Sequence, residues 1–269
     1  MYCHYWNLTE VPFRNTPDPR FLYYTDEHEE ALVRLLYVVT ESRGGMLLTG
    51  EYGSGKTLLT RVFLSELNEE KFHVAFVTNP NLEPFDFLRE IVYQFGETPL
   101  QASKVDVLHQ IDNIILDCIH HNKKVVIMID EAQQISRKDT FEEIRLLLNF
   151  QRNDNFLISL VLIGQPELRA KVNDIPQLRQ RLGIKYHLKA LNRDESSSYI
   201  DFRMKTAGGR PEIFTKEAKE AIYRASGGTP REINTICDMC LLLGYGKSVA
   251  EVNPFIVQQV AKDIDPEQL

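Results

Sequence analysis

Residues 50–57 constrain the fold of this chain more than any other segment. They read G-E-Y-G-S-G-K-T, which matches the pattern G-x-x-x-x-G-K-[S/T]. An apolar run at 46–48 precedes them, and apolar residues at helical spacing follow from Leu58. A strand, a glycine-rich turn and a helix in this order aim backbone N–H groups and the positive end of the helix dipole at phosphate oxygens. The pattern predicts a phosphate-binding loop rather than a chance glycine turn before a helix.

Two side chains of this loop have chemical tasks that follow from their type. We expect Lys56 to reach the β- and γ-phosphates of a nucleoside triphosphate, and the Thr57 hydroxyl to ligate Mg²⁺. ATP and Mg²⁺ are therefore the predicted ligands. The residues predicted to contact them are Gly50, Glu51, Tyr52, Gly53, Ser54, Gly55, Lys56, Thr57, Leu58 and Asp130.

Asp130 and Glu131 follow the continuous apolar run 125–129, which is typical of a strand buried on both faces. Acids at the carboxyl end of such a strand face the ligand crevice of an open α/β sheet. We expect Asp130 to hold Mg²⁺ with Thr57, and Glu131 to orient or deprotonate the attacking water. The alternative is that the two acids only end a strand and cap the next helix.

The order of apolar patterns predicts an α/β fold with a doubly wound parallel sheet, followed by a region of helices alone. We predict an extended aromatic and proline-rich segment over 1–25, an ATPase domain over 26–190 and a helical domain over 191–269. The predicted strands are 46–48, 73–77, 125–129, 157–164 and 184–188. The predicted helices are 26–42, 57–67, 84–96, 105–121, 140–151, 194–207, 215–225, 230–243 and 253–263.

Charge and apolar content limit the location and the partners of the chain. No apolar run in the 269 residues approaches the ~18 needed to span a bilayer, and the first residues show no signal peptide, so we expect a cytoplasmic protein. The net charge of −7 argues against a broad nucleic-acid-binding surface. Residues 166–190 nevertheless carry a local net charge of +4, which fits a solvated helix face or a binding patch.

Cys237 and Cys240 lie in a helical stretch and are interpreted as packing residues, not zinc ligands.

Four further segments carry a resemblance to a known family. The chain resembles the AAA+ ATPases, and within them the general secretion pathway protein A family, which includes the ATPases of MSHA-type pilus assembly. The segments are YWNLTEVPF at 5–13, TPDPRFLY at 16–23, GQPEL at 164–168 and GTPREIN at 228–234. The resemblance covers nearly the whole chain and implies a P-loop AAA+ domain with a C-terminal helical lid.

The resemblance also implies roles for residues outside the two phosphate motifs. It gives Gln165 the role of a sensor beside the γ-phosphate, Arg231 that of a lid sensor, and Arg181 or Arg179 that of an arginine finger acting on a neighbouring subunit. The expected catalytic set is Glu131, Lys56, Gln165, Arg181 and Arg231. It further implies a homo-oligomer that hydrolyses ATP to drive a conformational switch. The switch would act in assembling a secretion or pilus-like envelope machine, with a protein of that machine as partner. The expected location is cytoplasmic, or peripheral at the inner membrane.

Two other readings stay open at this point. A DNA-associated regulator like the transposition ATPases shares the phosphate loop, the acidic pair and the Gly-x-Pro-Arg segment, and would use the basic residues of 166–190 on DNA. Binding without hydrolysis is disfavoured because Lys56 and Glu131 are both present.

Membrane-anchored members of the family continue into a transmembrane helix and a peptidoglycan-binding domain. This sequence therefore resembles their shorter cytoplasmic relatives or a part of a longer protein.

Overall fold

The computed structural model describes residues 1–16, 18–98, 101–152 and 155–264. The described chain forms two compact units. One, the sheet unit, comprises 26–50 and 59–188; the other, the helical unit, comprises 1–25, 51–58 and 189–269. Pro17 of the predicted leader and residues 265–269 of the predicted helical domain lie outside the described residues. The division predicted from sequence, at 25/26 and 190/191, stays a proposal.

Five parallel strands form the main sheet, in the spatial order β2-β3-β6-β1-β7, and β4 and β5 form a separate antiparallel pair. Each predicted strand is present, and its ends differ from the prediction by at most two residues. The strands are β1 Gly45–Gly50, β2 Phe72–Val77, β3 Lys124–Ile129, β4 Gln151–Arg152, β5 Asn155–Phe156, β6 Ile158–Gly164 and β7 Ile184–Leu188.

Helices lie between the strands and then follow one another without strands, so the predicted fold class is confirmed. In chain order they are α1 Tyr2–Tyr5, α2 Asp26–Glu41, α3 Lys56–Glu66, α4 Pro84–Gln94, α5 Lys104–His120, α6 Lys138–Leu147, α7 Glu167–Asn173, α8 Pro176–Arg181, α9 Arg193–Thr206, α10 Lys216–Ser226, α11 Pro230–Gly246 and α12 Pro254–Ile264. Two 3₁₀ turns matter below: Pro19–Phe21 and Ala132–Gln134.

Both faces of the sheet are buried, which explains why its central strands are apolar at every position. In β3, Val125, Ile127 and Ile129 pack in the cluster that holds α4 to α8. The alternating residues Val126 and Met128 pack in a second cluster with α2 and α3. Alternate residues of a strand point to opposite faces, so a strand covered on both sides reads as a continuous apolar run.

Described residues from the first 25 contribute to the core of the helical unit. Tyr2, Trp6 and Phe13 are buried in one cluster with residues of α9 to α12. The Trp6 indole N–H donates to the Leu241 carbonyl at 2.9 Å, and the buried Arg203 guanidinium donates to the Pro12 carbonyl at 2.6 Å. These long-range bonds satisfy polar groups that would be costly to bury alone.

The expectation that residues 1–25 are extended throughout is wrong at two places. Tyr2–Tyr5 forms a helical turn and Pro19–Phe21 a 3₁₀ turn. The first turn brings Tyr2 and Trp6 to the same side, where both are buried. In the second, Pro19 takes the first position, and the Asp18 carboxylate accepts from the Arg20 backbone N–H at 3.0 Å. Tertiary burial and a local cap therefore outweigh the extended preference of a proline-rich segment.

Candidate nucleotide-binding residues

The phosphate loop, residues 50–57, begins at the last residue of β1 and ends in the first turn of α3. Gly53 and Gly55 have φ angles of 80° and 98°, in the left-handed region that side chains rarely adopt. A Cβ on Gly53 would also lie 2.5 Å from the Arg231 Cβ. Position 53 therefore requires glycine, both because of its backbone angle and because the start of α11 lies so close. Residue 53 and α11 belong to the same unit, the helical one.

Lys56 and Ser54 show that the loop suits an anionic ligand. The Lys56 side chain is buried, and its ammonium donates to the Glu51 carbonyl at 2.9 Å, so it folds back over the loop. The Ser54 hydroxyl is buried and has no hydrogen-bond partner within the described part of the chain. A buried hydroxyl without a partner is costly, and phosphate oxygens are acceptors that would satisfy it. The loop residues therefore fit a nucleotide phosphate.

Arg231 is the predicted sensor that the structure places against the phosphate loop. It is the second residue of α11, and its backbone N–H donates to the Gly53 carbonyl at 3.3 Å. Its guanidinium lies 4.6 Å from the centre of the Tyr52 ring, within the range of a cation–π interaction. Since all three residues belong to the helical unit, the start of α11 and the loop are joined by a backbone bond and a side-chain contact.

Asp130 and Glu131 follow β3 at the carboxyl edge of the sheet. Asp130 is buried, its backbone N–H donates to the Val77 carbonyl at 2.9 Å, and its Oδ1 accepts from the Glu131 N–H at 2.9 Å. Glu131 has a φ of 51°, which is uncommon for a residue with a side chain. Strained backbone of this kind persists only where its surroundings fix it. The turn that presents the Glu131 carboxylate is therefore held in place.

Gln133 is a candidate functional residue that the sequence analysis missed. Its Nε2 donates to Glu131 Oε2 at 2.5 Å, and its Oε1 accepts from the Gln165 backbone N–H at 3.1 Å. The predicted sensor Gln165 follows β6 directly, so one amide joins the acidic pair to the end of the neighbouring strand. The only signal in the sequence was an amide two residues after Glu131, and nothing local indicates its second partner 32 residues away.

The two candidate fingers differ in their surroundings, although both lie on α8. The Arg179 side chain is exposed. Arg181 is half-buried, and its guanidinium donates to the Arg145 carbonyl at 3.4 Å. In the same basic region, the Lys171 ammonium donates to the carbonyls of Gln133 and Ile135 at 2.6 and 2.8 Å. Two of the basic side chains that a DNA-binding patch would need are therefore used inside the sheet unit.

A metal site made only of protein side chains is not found among the described residues. No group of three or more His, Cys, Asp or Glu side chains is arranged to hold a metal ion there. Mg²⁺ needs no such cage, because it commonly uses one or two protein ligands together with phosphate oxygens and water.

Burial raises the pKa of the Cys240 thiol to about 12 and also raises that of Cys237, so both are neutral packing groups.

The chain is similar to several known proteins in sequence and in fold. Residues 39–172 match the family model described as AAA domain. Over 253 residues the chain is 37% identical to general secretion pathway protein A of Aeromonas hydrophila. The matched region covers 92% of this chain and 45% of that protein. Among solved structures, Cdc6p of Pyrobaculum aerophilum has a TM-score of 0.71 at 16% identity, covering 93% of this chain and 71% of that chain. The RuvB Holliday junction branch migration motor of Thermotoga maritima has a TM-score of 0.61 at 20% identity, covering 94% and 76%.

The sheet order, the phosphate loop and the family match define the class of the protein. The chain belongs to the AAA+ ATPases. Within that class it is a member of the general secretion pathway protein A family. It spans less than half the length of the Aeromonas relative.

Proposed function

We propose that the chain binds ATP with Mg²⁺, hydrolyses it to ADP and phosphate, and uses the cycle to switch the conformation of a homo-oligomer. One observation carries this proposal: β3, β6 and β1 are adjacent and parallel. Their carboxyl ends lead directly into the acidic pair, into Gln165 and into the phosphate loop. Ligands of open α/β sheets bind at this edge.

Each proposed catalytic residue has a task that suits its surroundings. ATP is the source of the γ-phosphoryl group, and Mg²⁺, when bound, would neutralise part of the phosphate charge. Lys56 donates to the β- and γ-phosphate oxygens once it leaves the Glu51 carbonyl. Thr57 and Asp130 would hold the ion. Glu131 would orient or deprotonate the attacking water.

Gln165 and Arg231 are proposed to respond to the phosphates rather than to move a proton. Gln165 follows β6, so its side chain starts from the strand next to β1. Arg231 contacts the phosphate loop through Gly53 and Tyr52. Positioned donors of this kind stabilise charge that spreads over the γ-phosphate oxygens.

The family supports a further proposal about the biological task. We assign the switch to assembly of a secretion or pilus-like envelope machine, with a protein of that machine as partner, on the cytoplasmic side of the inner membrane. Among the residues that the structure describes, no helix is long and apolar enough to cross a bilayer. The DNA-associated alternative is disfavoured, because Lys171 and Arg181 bond to backbone carbonyls of their own unit.

Replacing Glu131 with Gln tests the hydrolysis proposal. The variant keeps the shape of the side chain but removes the base, so turnover should fall about 100-fold or more while ATP still binds. Steady-state phosphate release and retention of labelled ATP on the protein are the measurements. Glu69→Gln, an exposed carboxylate of the sheet unit that follows α3, is the matched control and should leave turnover unchanged. Turnover of the Glu131 variant within a few-fold of the wild type contradicts the assigned role.

Arg231→Ala tests whether the helical unit responds to nucleotide through the phosphate loop. We expect a non-hydrolysable ATP analogue to slow hydrogen exchange at the start of α11 in the wild type, and this protection to be lost in the variant. Arg224→Ala removes an exposed arginine of α10 and should retain the protection. The role falls if the analogue protects α11 equally in the Arg231 variant.

A further inference from the structure

The Gln133 side chain forms a bridge between the carboxylate of the acidic pair and the end of β6. Its two bonds use both ends of one amide: Nε2 donates to Glu131 Oε2, and Oε1 accepts from the Gln165 N–H. All three residues belong to the sheet unit. A bridge of this kind fixes the direction of the Glu131 carboxylate relative to the strand that carries Gln165.

The surroundings of Gln133 hold its amide in this position. Gly164 leaves the space it needs, because a Cβ there would lie 2.5 Å from Gln133 Oε1. The Lys171 ammonium bonds to the Gln133 and Ile135 carbonyls and so fixes the main chain of the turn from the side of α7. The turn itself starts at Glu131, whose N–H is bonded to Asp130. Backbone and side chain are therefore both anchored.

We propose that Gln133 is the positioning residue for the proposed base Glu131, and that it ties the direction of this carboxylate to Gln165. The proposal rests on the proposed function, since it concerns the water-activating step. While the amide occupies Oε2, the other carboxylate oxygen is the one that accepts the proton of the attacking water. A base must lie within hydrogen-bond reach of that proton, and misplacement by about 1 Å can cost roughly 100-fold in rate.

Three substitutions test the bridge. Gln133→Met keeps the length of the side chain and removes both bonds. Gln133→Glu retains an oxygen that can accept from the Gln165 N–H but replaces the donor to Glu131 with a second carboxylate oxygen, which repels it. Gly164→Ala leaves Gln133 in the sequence but displaces its amide, because the new Cβ takes its space.

The first measurement is steady-state kinetics of the full chain with ATP. We expect kcat to fall about 10- to 100-fold in all three variants with KM changed by less than about 3-fold, because the carboxylate is misdirected while the phosphate loop is untouched. Wild-type kcat in Gln133→Met or Gln133→Glu overturns the proposal. So does an increased kcat, which means that the amide withholds Glu131 rather than directing it. A parallel loss of kcat and nucleotide affinity also overturns it, because that reports a structural role.

The second measurement needs no nucleotide. Hydrogen exchange at the Gln165 amide should be faster in Gln133→Met than in the wild type and should stay slow in Gln133→Glu. Unchanged exchange in Gln133→Met refutes the bridge.

The kinetic series also includes the wild type and Glu131→Gln, so that the two proposals can fail separately. Equal turnover of these two proteins refutes the proposed function. A large difference between them, together with unaffected turnover in the Gln133 variants, refutes only the positioning role.

Discussion

Lys56→Ala should weaken ATP and ADP binding by about 100-fold or more. The lysine is the residue of the phosphate loop that carries a mobile positive charge to the β- and γ-phosphates, and charge-assisted hydrogen bonds of this kind are worth about 1.5–3 kcal/mol each. Lys56→Arg should also lose affinity, because a planar guanidinium does not replace a compact ammonium in a tight loop. Calorimetric titration with ADP and with a non-hydrolysable ATP analogue measures both variants.

The control for this experiment is an exposed lysine of the same unit. Lys205 lies on α9 with an exposed side chain, so Lys205→Ala should bind nucleotide like the wild type. Lys56 also donates to the Glu51 carbonyl, so the unfolding temperature of each variant is measured without nucleotide to show that the fold survives. Wild-type affinity in folded Lys56→Ala removes the phosphate loop from the proposed site.

The parallel sheet was predictable from the sequence because burial on both faces makes its strands continuous apolar runs. The 125–129 run illustrates this, since its residues alternate between two buried clusters and none needs a polar side chain. The phosphate loop was equally readable. Gly53 and Gly55 are required by their backbone angles, and a lysine followed by a threonine is the pair of residue types that phosphate and Mg²⁺ chemistry favours, so the pattern of residues itself carries the prediction.

Features that depend on distant partners were not predictable. Trp6 bonds to the Leu241 carbonyl, and Arg203 to that of Pro12, across more than 190 residues. Gln133 likewise reads as an ordinary turn residue until the fold places it beside Gln165. No local pattern encodes such pairs, because each partner is chosen by the packing of elements far apart in the chain.

The unit to which the phosphate loop belongs also depends on a distant partner. The sequence places residues 51–58 inside an α/β domain because they follow a strand and start a helix. In the structure they belong to the helical unit, where Gly53 and Tyr52 contact Arg231. The pattern G-T-P-R signals the start of a helix, but it does not say which loop that helix start will touch.

Arg181→Ala should lower ATP turnover by on the order of 10³-fold while ATP binding survives. An arginine supplied to a neighbouring subunit acts on charge that develops only in the transition state, so ground-state binding does not depend on it. Turnover per subunit should therefore also rise with protein concentration as the oligomer forms. For this role the Arg181 guanidinium must leave the Arg145 carbonyl, whereas the exposed Arg179 on the same helix needs no such release. Arg179→Ala is thus the necessary companion variant.

Mixing two inactive variants decides between the arginines. An Arg181→Ala subunit retains Lys56, Asp130 and Glu131, and a Glu131→Gln subunit retains its arginine, so oligomers that contain both should regain activity where two intact halves meet. Phosphate release is measured after the mixed composition has been verified by native mass spectrometry. If Arg181→Ala is not rescued, and Arg179→Ala is both inactive alone and rescued by the same partner, the finger is Arg179. The interface then uses the exposed side of α8 and leaves the Arg181–Arg145 bond intact.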